Sequence, residues 1–384
     1  MDGRGAGVIR VGYGATLLAR GLRGNGIDGI GTYTRELGHA LEAGNHADIV
    51  PVTFGQRLPP GNLHGAPVRL PPYGLSALLS TAVHTPFMGS RRLHPYIDVF
   101  HATDHLVPRL KHTPVLATVM DTIPLEHPEW LRSPRGRLKA QLWRRMTRQA
   151  QHIVTISEHA REKILLHFDL PSERVSAIPL GVQSGFFERL NAAEKQAVRD
   201  QYGLPETFLL FIGTLQPRKN VDRLIAAHER LPKDIRRTMP LVVVGRAGWA
   251  CNQTITRLER RAERGEAFWL SQVPDHALRA LMQSATALAF PSLAEGFGLP
   301  VIEAFASGLP VITSNTSSLP EVAGDAALLV DPTDIDTIRD AMARLVDDPT
   351  LRHELAIRGH ERARHYTWEA TARSTAELYH SVAQ

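Results

Sequence analysis

Short apolar runs of five to eight residues, each followed by a stretch of helical character, recur along this chain in two series. The first comprises "VIRVGY" (8–13), "ADIVPVTF" (47–54), "IDVFHA" (97–102), "PVLATVMD" (114–121), "HIVTIS" (152–157) and "VSAIPLG" (175–181). The second comprises "FLLFIGT" (208–214), "PLVVVGR" (240–246), "AFWLSQV" (267–273), "ATALAFPS" (285–292) and "PVITS" (310–314). Runs this short and this continuously apolar suit strands buried on both faces, and the intervening helices supply the crossovers of a parallel sheet. Two such series predict two doubly wound α/β domains with a cleft between them. The polar stretch "VQSGFFERLNAAEKQ" separates residues 1–182 from 183–365, and a last helix, 366–384, lies beyond the second sheet. The proline- and glycine-rich "GQRLPPGNLHGAPVRLPPYG" reads as an exposed loop.

Composition narrows the class. The chain has 384 residues, too many for one ordinary core, and is 43% apolar and 22% charged, like an ordinary globular protein. A single cysteine, Cys251, excludes an internal disulfide and fits a reducing compartment. No run reaches the roughly 18 apolar residues of a spanning helix, and the opening residues do not read as a signal peptide. A net charge of +5 points to anionic partners.

The second series holds the chemistry. In "SLAEGFGLPVIEAFASGLPVITS" Glu295 falls at the carboxyl end of a strand, and Glu303 about two turns into the next helix. Open α/β sheets bind ligands at that edge. The "EGFGLP" turn offers backbone N–H groups with little side chain in the way. Glu303 sits among Val301, Ile302, Ala304, Phe305 and Ala306, where a carboxylate needs a partner. A ribose diol, with two hydroxyl donors, is one such partner; a helix face turned to solvent is the plain alternative. In "FIGTLQPRKN" a strand ends in Gly213, and Arg218 and Lys219 precede a helix for which Asn220 is the expected N-cap. Two cations at a helix start suit a diphosphate, although alone they also read as solvated surface charges.

Elsewhere the signals are weaker. "GNGIDGIG" opens the first helix without the spacing of a dinucleotide fingerprint, and Gly29–Ile30–Gly31 also fits a tight turn. His101, Asp104, His105, Asp121 and His127 follow first-domain strands, where they could position or deprotonate a hydroxyl. No zinc-ligand spacing occurs, and Asp334 and Asp336 lie at an expected helix start, where acids are ordinary. Between Arg132 and Arg148 basic residues surround Leu138, Leu142, Trp143 and Met146 at helical spacing. Such a helix either lies on an anionic membrane or packs on its own sheet.

These motifs together resemble family 4 of the retaining glycosyltransferases, which have the GT-B fold of two facing Rossmann-like domains. The resemblance spans nearly the whole chain. It is most specific over "EGFGLPVIEAFASGLPVITSNTSSLPEVAGDAALLVDP", supported in order by "ISEHAREKIL", "IPLGV", "GTLQPRKN" and "YTWEATA". The chain looks particularly like bacterial mannosyl- and rhamnosyl-type enzymes of surface-polysaccharide synthesis, which share "GIG-x-Y" and "HPEW".

The resemblance implies a hexosyltransferase that takes a nucleotide diphosphate sugar, GDP-mannose or a GDP-deoxyhexose by preference, and transfers to a lipid-linked glycan. A UDP-sugar with a small-molecule acceptor is the same-fold alternative, and a non-catalytic sugar-nucleotide-binding scaffold the rival from another class. By the same resemblance Arg218 and Lys219 hold the donor diphosphate, Glu303 the ribose, and Glu295 lies by the transferred sugar. The N–H groups of Gly296, Phe297, Gly298 and Leu299 surround sugar and phosphate, and the loop at Val273 flanks the base. Gly29, Ile30 and Gly31 approach the diphosphate from the other domain, and the last helix crosses back onto the first domain. No metal or other cofactor is expected, nor any nucleic-acid partner. The expected location is the cytoplasm, at most peripheral to the inner face of the membrane. One departure stands out: many relatives place a histidine where this chain has Met120, so that either Asp121, His101 or His105 takes over its role or the role is dispensable.

Overall fold

A computed structural model describes residues 8–24, 26–83, 85–130 and 136–384, without the side chains of 75, 78, 81–83 and 137. Its contacts divide the chain into Met1–Gly181 with Thr367–Gln384, and Val182–Tyr366.

Among its described residues the first unit has seven parallel strands. They are β1 (Arg10–Gly14), β2 (Asp48–Phe54), β3 (Val68–Leu70), β4 (Val99–Ala102), β5 (Val115–Thr118), β6 (His152–Thr155) and β7 (Val175–Ala177), in spatial order 3-2-1-4-5-6-7. β1 lies centrally, with Val11 opposite both Ile49 and Val99. β4 and β5 are buried along their whole length, because helices cover both faces. The sequence reading made 55–74 a loop; Val68–Leu70 instead pairs with β2 as a short edge strand. Its outward partner is missing, so three residues between prolines suffice and no apolar run announces them.

The helix Gly29–Ala43 begins at Asp28, whose carboxylate accepts from Gly31 N, so Gly29–Ile30–Gly31 is a helical first turn and not a tight turn. Against it packs the last helix, Trp368–Ala383, capped by Thr367. That helix buries Trp368, Ala372, Ala376 and Tyr379, a stripe at helical spacing.

The second unit has β8 (Leu209–Ile212), β9 (Leu241–Val244), β10 (Ala267–Leu270), β11 (Ala287–Phe290), β12 (Val311–Ser314) and β13 (Ala327–Val330), all parallel, in order 10-9-8-11-12-13. In this sheet the chain reverses its winding between β8 and β11. Loops leaving the carboxyl ends of those two strands turn to opposite sides of the sheet, the position where open α/β sheets bind ligands. Glycine is required at one point of that edge: Gly245 has φ +149, and a Cβ on it would fall 2.0 Å from Gly213 O.

Candidate functional site

The loop after β8 carries Gly213, itself at φ +154, and then the short turn Pro217–Lys219. The loop after β11 carries Glu295. Across the switch point the two loops meet: Lys219 Nζ lies 2.6 Å from Glu295 Oε1, and Arg218 donates to Glu295 Oε2 at 2.6 Å. Arg218 also donates to Ala294 O at 3.0 Å, and Lys219 Nζ stands 4.7 Å from the centre of the Phe290 ring. Lys219 and Glu295 are buried, so the cations are not a solvated pair. Burial alone would raise the Glu295 pKa, but the charges and hydrogen bonds of Arg218 and Lys219 hold it down at about 2.

Asn220 occupies the N-cap position of the following helix, Val221–Glu229, without capping it. Its backbone is left-handed, at φ 60, and its amide donates instead to Pro291 O (2.9 Å) and Pro332 O (2.7 Å). Asn220 thus ties the cationic turn to the loop after β11. The expected cap gave way to a bracing role.

Gly296, Phe297 and Gly298 are buried, and Leu299 opens the helix Leu299–Ala306. Gly298 has φ +118, and a Cβ there would meet Leu319 Cδ2 at 2.8 Å. Ser318 Oγ donates to the carbonyls of Glu295 and Phe297 (both 2.9 Å), while Ser317 Oγ accepts from Glu295 N at 3.2 Å. The sequence reading missed these two serines and the amide of Asn220. "SS" after "SNT" carries no signal of its own until the fold brings it under the turn.

Glu303 is half-buried, and its carboxylate has no hydrogen-bond partner among the described residues. Burial, reinforced by the charge of Asp275, pushes its pKa up to about 7. The half-buried Val273 precedes Pro274, the N-cap of the helix Asp275–Ser284. Asp334 and Asp336 are ordinary helix-start acids: Asp334 caps Ile335–Asp347 and Asp336 pairs with Arg230 at 2.7 Å. Among the described residues no three His, Cys, Asp or Glu converge as a metal site would need.

In the first unit a cavity of about 370 Å³ is lined by Ile30, Asp104, His105, Met120, Asp121 and Trp143 among others. Asp121 Oδ1 accepts from Ile123 N at 3.1 Å. His101 does not line it but sits behind the lining residue Thr118. It is fully buried, 2.7 Å from both the Tyr379 hydroxyl and Thr118 Oγ1, and burial drops its pKa to about 3. A neutral histidine held on both ring nitrogens is a core residue, so the suggestion that His101 stands in at Met120 is corrected. Asp104 is buried and binds Leu106 N, and His127 stacks on Trp130 at 3.8 Å. Asp104, Asp121 and the exposed His105 line the cavity.

The basic helix is Gly136–Thr147; Arg132 and Arg135 lie outside the described residues. Ala140 and Met146 are buried and Trp143 packs edge-on against Phe168 at 5.3 Å, so its apolar side is largely used by its own unit.

Two family models match the chain: Glycosyltransferase Family 4 over residues 27–185 and Glycosyl transferases group 1 over residues 194–362. The chain is 33% identical over 290 residues to the O-antigen chain mannosyltransferase B of Escherichia coli, covering 75% of each protein. It is 31% identical over 242 residues to the serotype-specific mannosyltransferase WbdA of Escherichia coli, 62% of this chain but 29% of that one. Among solved structures, WaaG, a glycosyltransferase involved in lipopolysaccharide biosynthesis, superposes with a TM-score of 0.72 at 19% identity, covering 97% of this chain and 99% of WaaG. Anabaena HepE in complex with UDP and glucose gives 0.74 at 15% identity, covering 97% and 100%. At those identities the likeness establishes the shared fold.

Proposed function

Since the chain belongs to the family 4, group 1 glycosyltransferases, we propose that it moves mannose from a GDP-linked donor to a hydroxyl of a lipid-linked glycan, with retention at the anomeric carbon. The hexosyl-transfer class follows from the family; donor base, sugar and acceptor are the proposal. The observation that carries it is the pairing at the β8–β11 switch point. Arg218 and Lys219 converge on one buried carboxylate, and the next helix presents a second carboxylate, Glu303, without a hydrogen-bond partner among the described residues. The O-antigen chain mannosyltransferase B of Escherichia coli, matched over 75% of this chain, favours mannose.

The chemistry follows from charge. An ammonium has three donors and a guanidinium five, so each can keep Glu295 and still face a diphosphate. As the sugar leaves, the bond from its anomeric carbon to the diphosphate oxygen breaks. The acceptor oxygen bonds to that carbon from the same face, and its proton passes to the departing phosphate oxygen. Negative charge grows on the diphosphate during this step, and preorganised cations stabilise it most there. We assign that role to Lys219 and Arg218 in place of a metal. Glu303 holds the ribose diol, and Asp121 and His105 position the acceptor.

The test joins ligand choice to product. GDP should raise the melting temperature more than UDP, ADP or dTDP, because a ligand that prefers the folded state stabilises it. GDP-mannose should then yield a retained linkage on a lipid-linked acceptor in excess chelator. Stabilisation by UDP alone overturns the donor, an inverted product overturns the mechanism, and rescue by magnesium of an activity lost to chelator overturns metal independence.

A further inference from the structure

Between Asp48 and Asp98 the chain has no acidic residue, yet Arg57, Arg69, Arg91 and Arg92 fall in that interval. Two loops of the first unit, 85–98 leading into β4 and 106–114 leading into β5, enclose a cavity of about 470 Å³. Arg91, Arg92, His94, Lys111 and His112 line it, with the two imidazoles 5.4 Å apart. Arg91, Arg92 and Lys111 are exposed and have no carboxylate partner among the described residues. On the first of these loops Met88 is 47% exposed and Tyr96 60% exposed. They are not on a loose tether, for Phe87, Leu93 and Ile97 beside them are buried in the core.

A surface that presents three cations without carboxylate partners among the described residues and holds out two large side chains matches one environment closely. Cations are drawn to anionic headgroups, and a tyrosine, with an apolar ring and polar tip, suits the water–hydrocarbon boundary. An acidic protein would satisfy the cations but gives no reason for the exposed Met88. The Gly136–Thr147 helix competes poorly, since Ala140, Trp143 and Met146 are turned to its own unit and, of its described apolar residues, only Leu138, 72% exposed, is fully presented.

We propose that the surface formed by Arg91, Arg92, Lys111, Met88 and Tyr96 docks this protein on an anionic phospholipid membrane, lipid phosphates seating among the three cations. Its purpose rests on the lipid-linked acceptor proposed above; its physics does not.

Sedimentation with vesicles tests it. The full chain should pellet with mixed phosphatidylglycerol–phosphatidylcholine vesicles, stay in solution with phosphatidylcholine alone, and be released by salt. Each cation beside an anionic surface contributes about a fivefold factor, so Arg91→Glu with Arg92→Glu and Lys111→Glu should cut partitioning on the order of a hundredfold. Met88→Ser with Tyr96→Ser should weaken it about tenfold while preserving its salt dependence. Arg144→Glu with Arg145→Glu should leave it unchanged. All variants should keep the nucleotide-induced rise in melting temperature and transfer to a short soluble acceptor, which shows that they fold. The proposal is overturned if the unaltered protein ignores anionic vesicles, if the triple variant pellets like it, or if only the Arg144–Arg145 variant is released. Capture by polyglutamate in place of vesicles would also overturn it and assign the surface to an acidic protein. If vesicle binding persists but no sugar transfer is found, the enzymatic reading fails and the docking surface stands.

Discussion

Glu303 and Glu295 lie eight residues apart and ionise at opposite ends of the carboxylate range, for reasons of surroundings alone. Glu303 has burial and Asp275 against its charge, so its pKa rises to about 7. A raised folded-state pKa favours the protonated form: its contribution to stability is full below the ordinary carboxylate range and is lost as pH rises through about 7. Glu303→Gln should therefore raise the melting temperature at about pH 8 and do little at about pH 5. Ribose hydroxyls donate to the ionised carboxylate, so nucleotide affinity should climb from about pH 6 to about pH 8 in the unaltered protein and stay flat in Glu303→Gln. Calorimetry across that range decides it; a flat unaltered profile would remove Glu303 from the ribose. Glu295 runs the other way. Its depressed pKa contributes stability above the ordinary carboxylate range that is lost as pH falls through about 2. Glu295→Ala strands the buried Lys219 ammonium and should cost about 3 kcal/mol in denaturant unfolding. Lys219→Ala should lower kcat by about 10² to 10³, since its charge acts on the leaving diphosphate. Glu303→Ala should mainly raise the donor KM, by the ~1.5–3 kcal/mol of a charged hydrogen bond. Steady-state kinetics on both variants separates the roles, and full kcat in Lys219→Ala would refute its assignment.

At the scale of elements, the turns decide more than the helices they introduce. The Pro217–Lys219 turn is fixed from three sides: Asn220 to Pro291 and Pro332, Arg218 to Ala294, and Leu293 N to Arg218 O at 2.8 Å. Asn220 was legible as a helix boundary but not as a brace, because capping is a local rule and its real acceptors are 71 and 112 residues away. β3 escaped for the opposite reason: three residues at a sheet edge leave too short a pattern to detect. The last helix shows what tertiary packing adds. Tyr379 donates to or accepts from the buried His101 across 278 residues, and its ring lies edge-on at 5.5 Å. Tyr379→Phe leaves that imidazole nitrogen without a partner and should cost about 1–3 kcal/mol in chemical unfolding with kcat unchanged. A neutral result would mean that water replaces the hydroxyl.

For the whole molecule, the chain leaves the first unit after Gly181 and re-enters it at Thr367. The two passages lie side by side: a Cβ on Gly181 would sit 2.2 Å from Trp368 N. Backbone cannot yield as a side chain can, so Gly181→Ala should destabilise by about 1–3 kcal/mol, read as a lower denaturant midpoint. Because the first unit is discontinuous in sequence, deleting 367–384 should expose Tyr33 and His101 and make that unit the first to be cleaved in limited proteolysis. Residues 182–366 should stay protected. Equal cleavage of both units would show that the last helix is dispensable to the first.

What the sequence determined by itself is the part of the structure written in neighbours. The apolar runs and intervening helices imply two parallel sheets whatever the chain does at long range, because period and run length are set by residues a turn or a strand apart. The glycine-bearing turns after β8 and β11 were readable for the same reason. Tertiary structure alone decided which charges meet and what each ionisable group does. That Lys219 and Arg218 close on Glu295 from 76 and 77 residues away could not be read from either segment. Nor could it be read that His101 is a neutral core residue while Asp121 and His105 face a cavity. A pKa is fixed by lost water and by charges within a few ångströms, and only the folded chain sets those distances.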